Sequence, residues 1–394
     1  MIKNTKDLTK QNKLFILNEI IERQPVSRKE LSQILDLSHT TVSYISKDLI
    51  AEGLIRESEY EQSTGGRPPR LLEFRGSNKY LISVEMSYTY LSYAIYDLDF
   101  NIIKEESWNI KKMKATEIIK LLYKKTYDEY LLKKEIDPEN IIGIGISVPG
   151  IYEQEEDILT ESISEIWQNI NLKKEFNKYF QLPLYIENDA NLSTYYESIY
   201  GVGGDALNLI YIFIAEGIGS GLLINGKLYK GSHGVAGEIS HIKVSEADFI
   251  CNCGKKGCLE VMASMSAIKR DVLKSLREGA ESSLQSIPFE QLSMKDIIKG
   301  FKEGDKLAEK VIRQSINYLV ISLSNLQNIL DPDLIIIGDI YNLYDEKLIA
   351  DINVQLSRLS SRKKIAKVVQ RTEEANIQLK STAKYVFDKW KQTV

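Results

Sequence analysis

The sequence predicts an α/β protein with a small helical head and a larger body of two similar lobes. Three observations lead to this prediction. Helical patterns crowd the first 50 residues, strand-like runs and helical patterns then recur in two rounds, and 394 residues exceed the size of one ordinary core. We expect a head over 1–75, a first lobe over 76–190 with the C-terminal helix 375–394, and a second lobe over 191–374.

The composition narrows the class of protein. Hydrophobic residues make up 43% of the chain and charged residues 27%, which is typical of a globular protein in water. The sequence has no apolar run of about 18 residues and begins with the polar segment MIKNTKDLTK, so we expect a cytoplasmic protein without a membrane span. The net charge is −4, and residues 1–75 carry 12 Lys and Arg against 11 Asp and Glu. With a net charge of only +1 on the head, any contact with DNA depends on where individual charges lie.

Three helices are predicted in the head. The first covers about 11–23, and Ser27 and Ser38 are suitable N-caps for the second and the third. The third helix has an apolar stripe at helical spacing, formed by Val42, Ile45 and Leu49.

The outer face of the third helix is predicted to contact DNA. Short polar side chains with one aromatic ring and one lysine suit a helix that lies in the major groove. The residues expected to make this contact are Ser38, His39, Thr40, Thr41, Ser43, Tyr44 and Lys47.

A basic hairpin follows the third helix. In the segment TGGRPPRLLEF the two glycines favour a turn, and Arg67 and Arg70 flank two prolines that stiffen an extended tip. Helices followed by such a hairpin indicate a winged helix-turn-helix, whose wing, with both arginines, is expected to enter the minor groove. A three-helix module that binds another protein is the alternative.

All three cysteines of the chain lie close to one of its three histidines. Cys251, Cys253 and Cys258 fall within eight residues, and His241 precedes them. Three thiolates and one imidazole form a tetrahedral donor set that structural zinc prefers, and a site with four protein ligands has no open position for a substrate. We therefore expect a structural Zn²⁺ that holds a loop in place. The alternative is three free or buried thiols.

Polar residues beside this cluster suit a sugar. Glu238 and Glu260 flank the proposed ligands, and His241 can bind the metal through one ring nitrogen while the other faces a ligand. Carboxylates together with an imidazole supply both acceptors and a donor to a polyhydroxylated molecule. Each glutamate taken alone is equally well explained as a solvated surface carboxylate.

The stretch Gly231–Glu260 resembles the zinc and sugar-binding signature of the ROK family, which contains sugar-responsive repressors and sugar kinases. The head, with its Gly-Gly-Arg wing, resembles the DNA-binding domain of the repressor branch, the xylose-responsive repressors in particular. The resemblance covers nearly the whole chain. It implies an actin-like, ribonuclease-H-type fold for the two lobes.

The resemblance also implies a sugar-binding set. It places Asn188 and Asp189, in the segment IENDAN, at the sugar, with Asp189 at the position of the general base of the family's kinases. The full implied set, above the backbone around Gly150, is Asn188, Asp189, Glu238, His241 and Glu260. Many family members carry an asparagine in the loop before a pocket tryptophan, whereas TESISEIWQN has none before Trp167.

The kinase loops that bind phosphate are altered. The kinases use Asp-x-Gly-Gly-Thr, Gly-Thr-Gly and Gly-Gly turns, because backbone amides must approach the phosphates closely. Here the first is replaced by VEMSYTY, with Glu85, Ser87 and Tyr88, the second by Ala215-Glu216-Gly217 and the third by Gly338-Asp339. A carboxylate at about 4 Å from a phosphate would be repelled by roughly 4 kcal/mol at an effective dielectric constant near 20. We therefore expect no enzymatic activity.

The resulting expectation is a repressor that binds double-stranded operator DNA as a homodimer, or a tetramer, and responds to a monosaccharide. Xylose ranks before glucose as the ligand. Two alternatives are a sugar kinase with a fused DNA-binding head, and a repressor controlled by a protein partner.

Overall fold

A computed structural model describes residues 5–58, 70–87, 89–134, 136–153, 156–161, 166–341, 343–360, 364–373 and 376–394. The chain divides into two compact units. Unit 1 contains Met1–Gly150, Glu156–Glu187 and Thr382–Val394, and unit 2 contains Ile151–Glu155 and Asn188–Ser381.

The head lies in unit 1 and consists of three helices and a small antiparallel sheet in the order β1-β3-β2. Its elements are α1 Thr5–Arg23, β1 Val26–Ser27, α2 Arg28–Ile34, α3 His39–Ala51, β2 Ile55–Ser58 and β3 Leu71–Phe74.

The expected caps start the second and third helices. The Ser27 hydroxyl accepts a hydrogen bond from the Glu30 amide at 3.2 Å, and the Glu30 carboxylate accepts one from the Ser27 amide at 2.8 Å. The predicted stripe of α3 is fully buried, whereas Ile34, whose apolar character favours an inward position, is 43% exposed. It is the last residue of α2, so the helix ends before the core can cover it.

Unit 1 also contains a five-stranded sheet in the order β11-β7-β4-β5-β6, in which β4 pairs antiparallel with β5 and parallel with β7. The elements of this region are β4 Tyr80–Met86, β5 Tyr90–Asp97, β6 Ile102–Asn109, α4 Ala115–Tyr123, β7 Ile141–Val148, β9 Ile158–Glu161, β10 Ile170–Asn171, α5 Leu172–Phe176 and β11 Leu184–Asn188, while β8 Ile151–Glu153, between β7 and β9 in sequence, belongs to unit 2. The short strands β9 and β10 pair antiparallel with each other.

Unit 2 is built on a second five-stranded sheet in the order β14-β13-β12-β15-β16. The remaining elements are α6 Asp189–Ile199, β12 Leu209–Ile214, β13 Ile218–Ile224, β14 Lys227–Leu228, α7 Leu259–Ala263, α8 Met265–Arg277, α9 Met294–Lys302, α10 Lys306–Leu330, β15 Leu334–Asp339, α11 Glu346–Leu359, β16 Lys367–Gln370 and α12 Ile377–Lys391. In each sheet a three-stranded antiparallel meander is followed by strands added beside its first strand, so the two share the strand order 3-2-1-4-5. The expected repetition of one pattern in two lobes is therefore present.

The core of unit 2 lies between its sheet and the helices α7–α11. Alternate residues of β12 and β15 pack against apolar faces of α8 and α10, with Ile212, Ile337 and Leu319 all fully buried. The turn Asn225-Gly226 joins β13 to β14 with φ values of 53° and 72°, as a tight hairpin turn requires. Among the described residues no helix is both long and apolar enough to span a membrane.

Candidate functional site

The four predicted metal ligands lie together in unit 2. One ligand atom from each of His241, Cys251, Cys253 and Cys258 lies within 4.8 Å of all the others. The Cys251 Sγ lies 3.5 Å from the His241 Nδ1, and the Cys253 Sγ lies 3.6 Å from the Cys258 Sγ. Three sulfurs and one imidazole nitrogen at these separations can hold one metal ion, and this donor set fits tetrahedral zinc.

Tight backbone turns bring the sulfurs together. The Cys251 amide donates to the Lys255 carbonyl at 2.8 Å, and Gly254 closes the turn with φ 81°. At Gly257 φ is 70°, and a Cβ would lie only 1.8 Å from the Ser245 carbonyl oxygen. Glycine is therefore required at 257, where the strand-like segment carrying Cys258 passes beside Val244 and Ser245.

The thiols interact strongly with each other. Burial raises the pKa of Cys251 to about 12 and also raises the pKa of Cys258. Desolvation acts on Cys253 as well, but its pKa is lowered because the Lys255 amide and the neighbouring thiols donate hydrogen bonds to its sulfur. Three thiolates in this buried position would repel each other, and a divalent cation between them would remove that repulsion.

The two predicted sugar-binding glutamates flank the four proposed metal ligands in sequence. Glu260 is in the first turn of α7, half-buried, and its Oε1 lies 3.6 Å from the Cys251 Sγ. Glu238 directly precedes the short helical turn Ile239–His241 and is also half-buried. A metal ion that fixes His241 and Cys258 would therefore fix the positions of both carboxylates.

Asn188 and Asp189 lie where β11 ends and α6 begins. The Asn188 Oδ1 accepts hydrogen bonds from the amides of Ala190 and Asn191 at 2.8 and 3.1 Å, and the Asp189 Oδ1 accepts one from the Ala190 amide at 2.8 Å. Asn188 is therefore the N-cap of α6, and Asp189 is the first residue of the helix. The dipole of α6 favours the ionised form of a carboxylate at this end.

Strand β13 connects this helix to the glutamate loop. The glycine run GIGSG allows α6 to lie directly against β13, because a Cβ at Gly221 would meet the Thr194 Oγ1 at 2.2 Å and the Ala190 carbonyl at 3.0 Å. Between the glycines, the Ser220 hydroxyl donates to the carbonyl of Gly237, the residue before Glu238. The glycine run therefore allows the close packing of α6 on β13. Ser220 is a residue of this region that the sequence analysis did not identify.

Side chains of the protein occupy the two altered phosphate-loop positions of unit 2. The buried Asp339 carboxylate accepts hydrogen bonds from the amides of Tyr341, Leu343 and Tyr344 at 2.7, 3.0 and 3.0 Å. Glu216 is exposed at the β12–β13 turn. The pKa of the Tyr341 phenol is raised mainly by desolvation and further by the charge of Glu216.

The altered loop of unit 1 is a tight hairpin between β4 and β5. The Ser87 amide donates to the Tyr90 carbonyl at 3.0 Å, and the Tyr90 hydroxyl donates to the Glu85 Oε1 at 2.9 Å. Desolvation raises the pKa of Glu85. Trp167 is fully buried and its indole donates to the Ser87 carbonyl at 3.2 Å, so this ring packs against the hairpin. Tyr88 lies outside the described residues.

The predicted DNA-contact residues at α3 differ in exposure. Tyr44 is 70% exposed on α3, and Ser38, His39, Thr40 and Lys47 are also exposed. Thr41 and Ser43 are half-buried; the Thr41 hydroxyl lies 2.8 Å from the Ser38 Oγ, and the Ser43 Oγ lies 3.4 Å from the His39 Nδ1.

The start of β3 carries an ion-pair network. The Glu57 carboxylate forms ion pairs with Arg70 and with the Arg28 guanidinium, which lies at 2.8 Å. The hydrogen bond from Arg70 is the largest cause of the lowered pKa of Glu57. Arg70 is thereby anchored to β2 beside the wing. Arg67 lies outside the described residues.

Comparison with known proteins identifies the family. A model described as "ROK family" matches residues 81–382, and a model described as "Winged helix-turn-helix DNA-binding" matches residues 11–56. The chain belongs to the ROK family. The sequence prediction of a winged helix-turn-helix followed by a ROK body is thereby confirmed.

Relatives within the ROK family include regulators and an enzyme. The xylose repressor of Caldicellulosiruptor bescii is 32% identical over 350 residues, which are 89% of this chain and 88% of that protein. The glucokinase of Halalkalibacterium halodurans is 30% identical over 268 residues, 66% of this chain and 80% of that protein. A crystal structure of a ROK family transcriptional regulator, a homologue of the E. coli MLC protein, matches with a TM-score of 0.85 at 25% identity and covers 98% of this chain and 97% of that one.

Proposed function

We propose that this chain is a sugar-responsive transcriptional repressor that binds operator DNA through its head and a monosaccharide in its ROK body. The observation that carries the proposal is the combination of a winged helix-turn-helix with a ROK body in one chain. The similar protein named xylose repressor aligns with 89% of this chain, so the alignment includes residues of both parts. Xylose is the first candidate ligand and glucose the second.

The sugar site is assigned to unit 2. Its residues are Asn188, Asp189, Glu238, His241 and Glu260. Their arrangement supports the assignment, because α6 packs on β13 through Gly221, and Ser220 of the same strand holds the carbonyl next to Glu238. Carboxylate oxygens accept hydrogen bonds from sugar hydroxyls, and a hydrogen bond to a charged group contributes about 1.5–3 kcal/mol.

The metal is assigned as Zn²⁺, held by His241, Cys251, Cys253 and Cys258. Because the His241 Nδ1 lies 3.5 Å from the Cys251 sulfur, Nδ1 is the proposed ligand atom and Nε2 is left to face the sugar. The ion would complete the loop and leave sugar binding to the protein's own side chains.

Operator binding is assigned to the exposed face of α3 and to the wing. The assigned residues are Ser38, His39, Thr40, Thr41, Ser43, Tyr44, Lys47, Arg67 and Arg70. A homodimer would place two such heads on half-sites about 34 Å apart or a multiple of this distance. Sedimentation of the protein with and without a two-half-site duplex tests this assembly, and a monomer bound to a single half-site would contradict it.

The test is operator affinity with and without sugar. An operator is first selected from random duplexes with the purified protein, and its affinity is then measured by fluorescence anisotropy with D-xylose, D-glucose or no addition. We expect xylose to change the affinity by about 5- to 150-fold, the usual range of coupling between two sites. Equal operator affinity in all three conditions would contradict the proposal, and restored control by a cell extract would favour a protein partner as the signal.

The wing is tested by the salt dependence of the same binding. Arg67→Ala should reduce the slope of log affinity against log salt by about 1, because one phosphate or groove contact is lost. Arg358→Ala, an exposed arginine of α11 in unit 2, is the matched control and should leave the slope unchanged. An unchanged slope for the Arg67 variant would remove the wing from the interface.

A sugar kinase is the second candidate, because Asp189 is retained at the start of α6 and the glucokinase relative is 30% identical. A coupled assay for sugar-dependent ADP release distinguishes the two functions. Turnover that disappears in Asp189→Asn would establish the kinase in place of the non-enzymatic repressor.

A further inference from the structure

The last helix of the chain belongs to both compact units. Helix α12 spans Ile377–Lys391, and the boundary between the units falls within it, between Ser381 and Thr382. At a rise of 1.5 Å per residue its length is about 22 Å. The hydrogen bonds of a continuous helix make it stiff, so a displacement of one end displaces the other.

The first turn of α12 holds the start of α6. The Gln378 Nε2 donates hydrogen bonds to the Asp189 carbonyl at 3.1 Å and to the Ser193 Oγ at 2.7 Å. The Ser193 hydroxyl in turn donates to the same Asp189 carbonyl at 3.0 Å. The amide of Gln378 is thus bonded to the backbone of a proposed sugar-binding residue without belonging to the sugar-binding set.

The middle of α12 holds the strand that leads into α6. The Tyr385 hydroxyl donates to the Glu187 Oε2 at 3.1 Å, and both side chains are buried, with 8% and 4% exposure. Glu187 is the residue before Asn188. One helix is therefore bonded to the residue immediately before Asn188 and to the backbone of Asp189.

The final turns of α12 hold the head. The Lys391 Nζ donates to the Asn18 Oδ1 of α1 at 2.9 Å. The Phe387 ring packs edge-on against Phe74, the last residue of β3, with 6.0 Å between the ring centroids. Both partners belong to the winged helix-turn-helix, so these contacts attach the end of α12 to the DNA-binding part of the chain.

We propose that α12 couples sugar occupancy to operator affinity, with Gln378 as the positioning residue at its sensing end and Lys391 with Asn18 at its output end. The inference rests on the proposed function and adds the route by which the two sites communicate. A sugar that draws Asp189 toward its hydroxyls moves the carbonyl that Gln378 holds. The stiff helix carries this shift to α1 and β3, provided that the sugar binds one position of the helix better than the other.

The test removes the contact at each end separately. In Gln378→Leu the amide that binds Asp189 and Ser193 is replaced by an apolar group of similar size. Gln392→Leu is the matched control, since this glutamine is exposed and follows the helix. Asn18→Ala removes the acceptor of Lys391 in the head, far in sequence from the sugar-binding set, and carries the test alone if the Gln378 variant does not fold.

Three quantities are measured for each full-length variant: D-xylose affinity by calorimetry, operator affinity with and without D-xylose, and melting temperature. We expect the ratio of the two operator affinities to fall from about 5- to 150-fold in the wild type to within about threefold of unity in both variants. Xylose affinity of free Asn18→Ala should be unchanged, and Gln392→Leu should behave as the wild type. A purely structural role would lower the melting temperature and leave the ratio intact.

The outcomes separate the two proposals. A wild-type protein whose operator affinity ignores both xylose and glucose contradicts the proposed function, and this inference with it. A wild type that responds, together with a folded Gln378→Leu or Asn18→Ala variant that keeps the full ratio, contradicts only the role of α12.

Discussion

Two regions attached to the same sheet of unit 2 differ in how their polar groups are held. One contains half-buried polar side chains at the start of α6 and on the loop after β13, and this loop also carries the four proposed metal ligands. On the other, carboxylates replace glycine-rich turns, and Asp339 is fully engaged by three amides of its own loop. The comparison teaches that the polar groups at the end of β15 are held by their own loop, while the sheet of unit 2 keeps the same strand order as the sheet of unit 1.

The difference lies in what the polar groups bind. The Asp339 loop is satisfied by internal hydrogen bonds, so a phosphate would have to displace a buried carboxylate and would meet its charge. The space beside Gly338 is also occupied by the Arg371 side chain. A Cβ built on Gly338 would lie 2.4 Å from the Arg371 Cδ. The region of the four proposed metal ligands instead contains two half-buried glutamates that lie close to those ligands in sequence, Glu238 and Glu260.

The largest expected effect comes from the metal region. Cys253→Ser should remove stoichiometric zinc, measured by elemental analysis, and lower xylose affinity by more than about tenfold, because the loop that carries His241 and Glu238 loses its ligand. Asn252→Ser, an exposed neighbour, is the matched control and should retain zinc. The head should still melt as a folded unit. Wild-type protein without zinc would contradict the metal assignment.

A second substitution changes a proposed contact with the sugar. Asp189→Asn keeps the size of the side chain at the start of α6 and removes its charge. We expect xylose affinity to fall by about 10- to 100-fold in calorimetry, the equivalent of one charged hydrogen bond. Asp205→Asn, at an exposed position, should bind as the wild type does. Unchanged affinity of the Asp189 variant would place the sugar elsewhere.

The closed region is tested by stability. Asp339→Ala should lower the free energy of unfolding by about 2–5 kcal/mol in urea titrations, since three amides of the 341–344 loop lose their acceptor. Asp339→Asn retains an acceptor oxygen and should cost less. A stability loss below about 0.5 kcal/mol for the alanine variant would show that the carboxylate does not close the loop.

The smallest expected effect is the pH dependence at the unit 1 hairpin. Desolvation raises the pKa of Glu85 above its ordinary value of 4.5, so the folded protein holds the proton more tightly than the unfolded chain. This stabilisation is fully present below pH 4.5 and is lost as the pH rises through the folded pKa. Glu85→Gln should therefore match the wild type in urea midpoint at pH 4 and exceed it slightly at pH 7. The opposite order at pH 7 would mean that the charged form is the stabilised one.

Short-range patterns carried most of the fold prediction. Ser27, Ser38 and the stripe of α3 are local signals, and the structure places them as expected. The first helix begins at Thr5, earlier than the predicted residue 11, and α9 and α11 were not predicted. Their apolar faces are completed only by packing against α8, α10 and β16, which a single sequence does not reveal.

The metal group was predictable because its ligands are neighbours in sequence, whereas contacts between distant residues were not. Gln378 reaches Asp189 across 189 positions and Glu197 binds Thr372 across 175, with no periodic pattern to indicate either pair. The role of Asp339 depends on the direction of three amides in a loop. A signal did exist for the packing of α6, since the glycines of GIGSG indicate close approach of backbone.

The most direct test of the contrast between the two regions is calorimetry of one zinc-loaded preparation with D-xylose, with Mg²⁺-ATP, and with each in the presence of the other. We expect measurable heat for the sugar, none for the nucleotide, and a sugar affinity that is the same with and without ATP. Saturable binding of ATP, or a sugar affinity that changes when ATP is added, would contradict the proposal that this chain binds a sugar and no nucleotide.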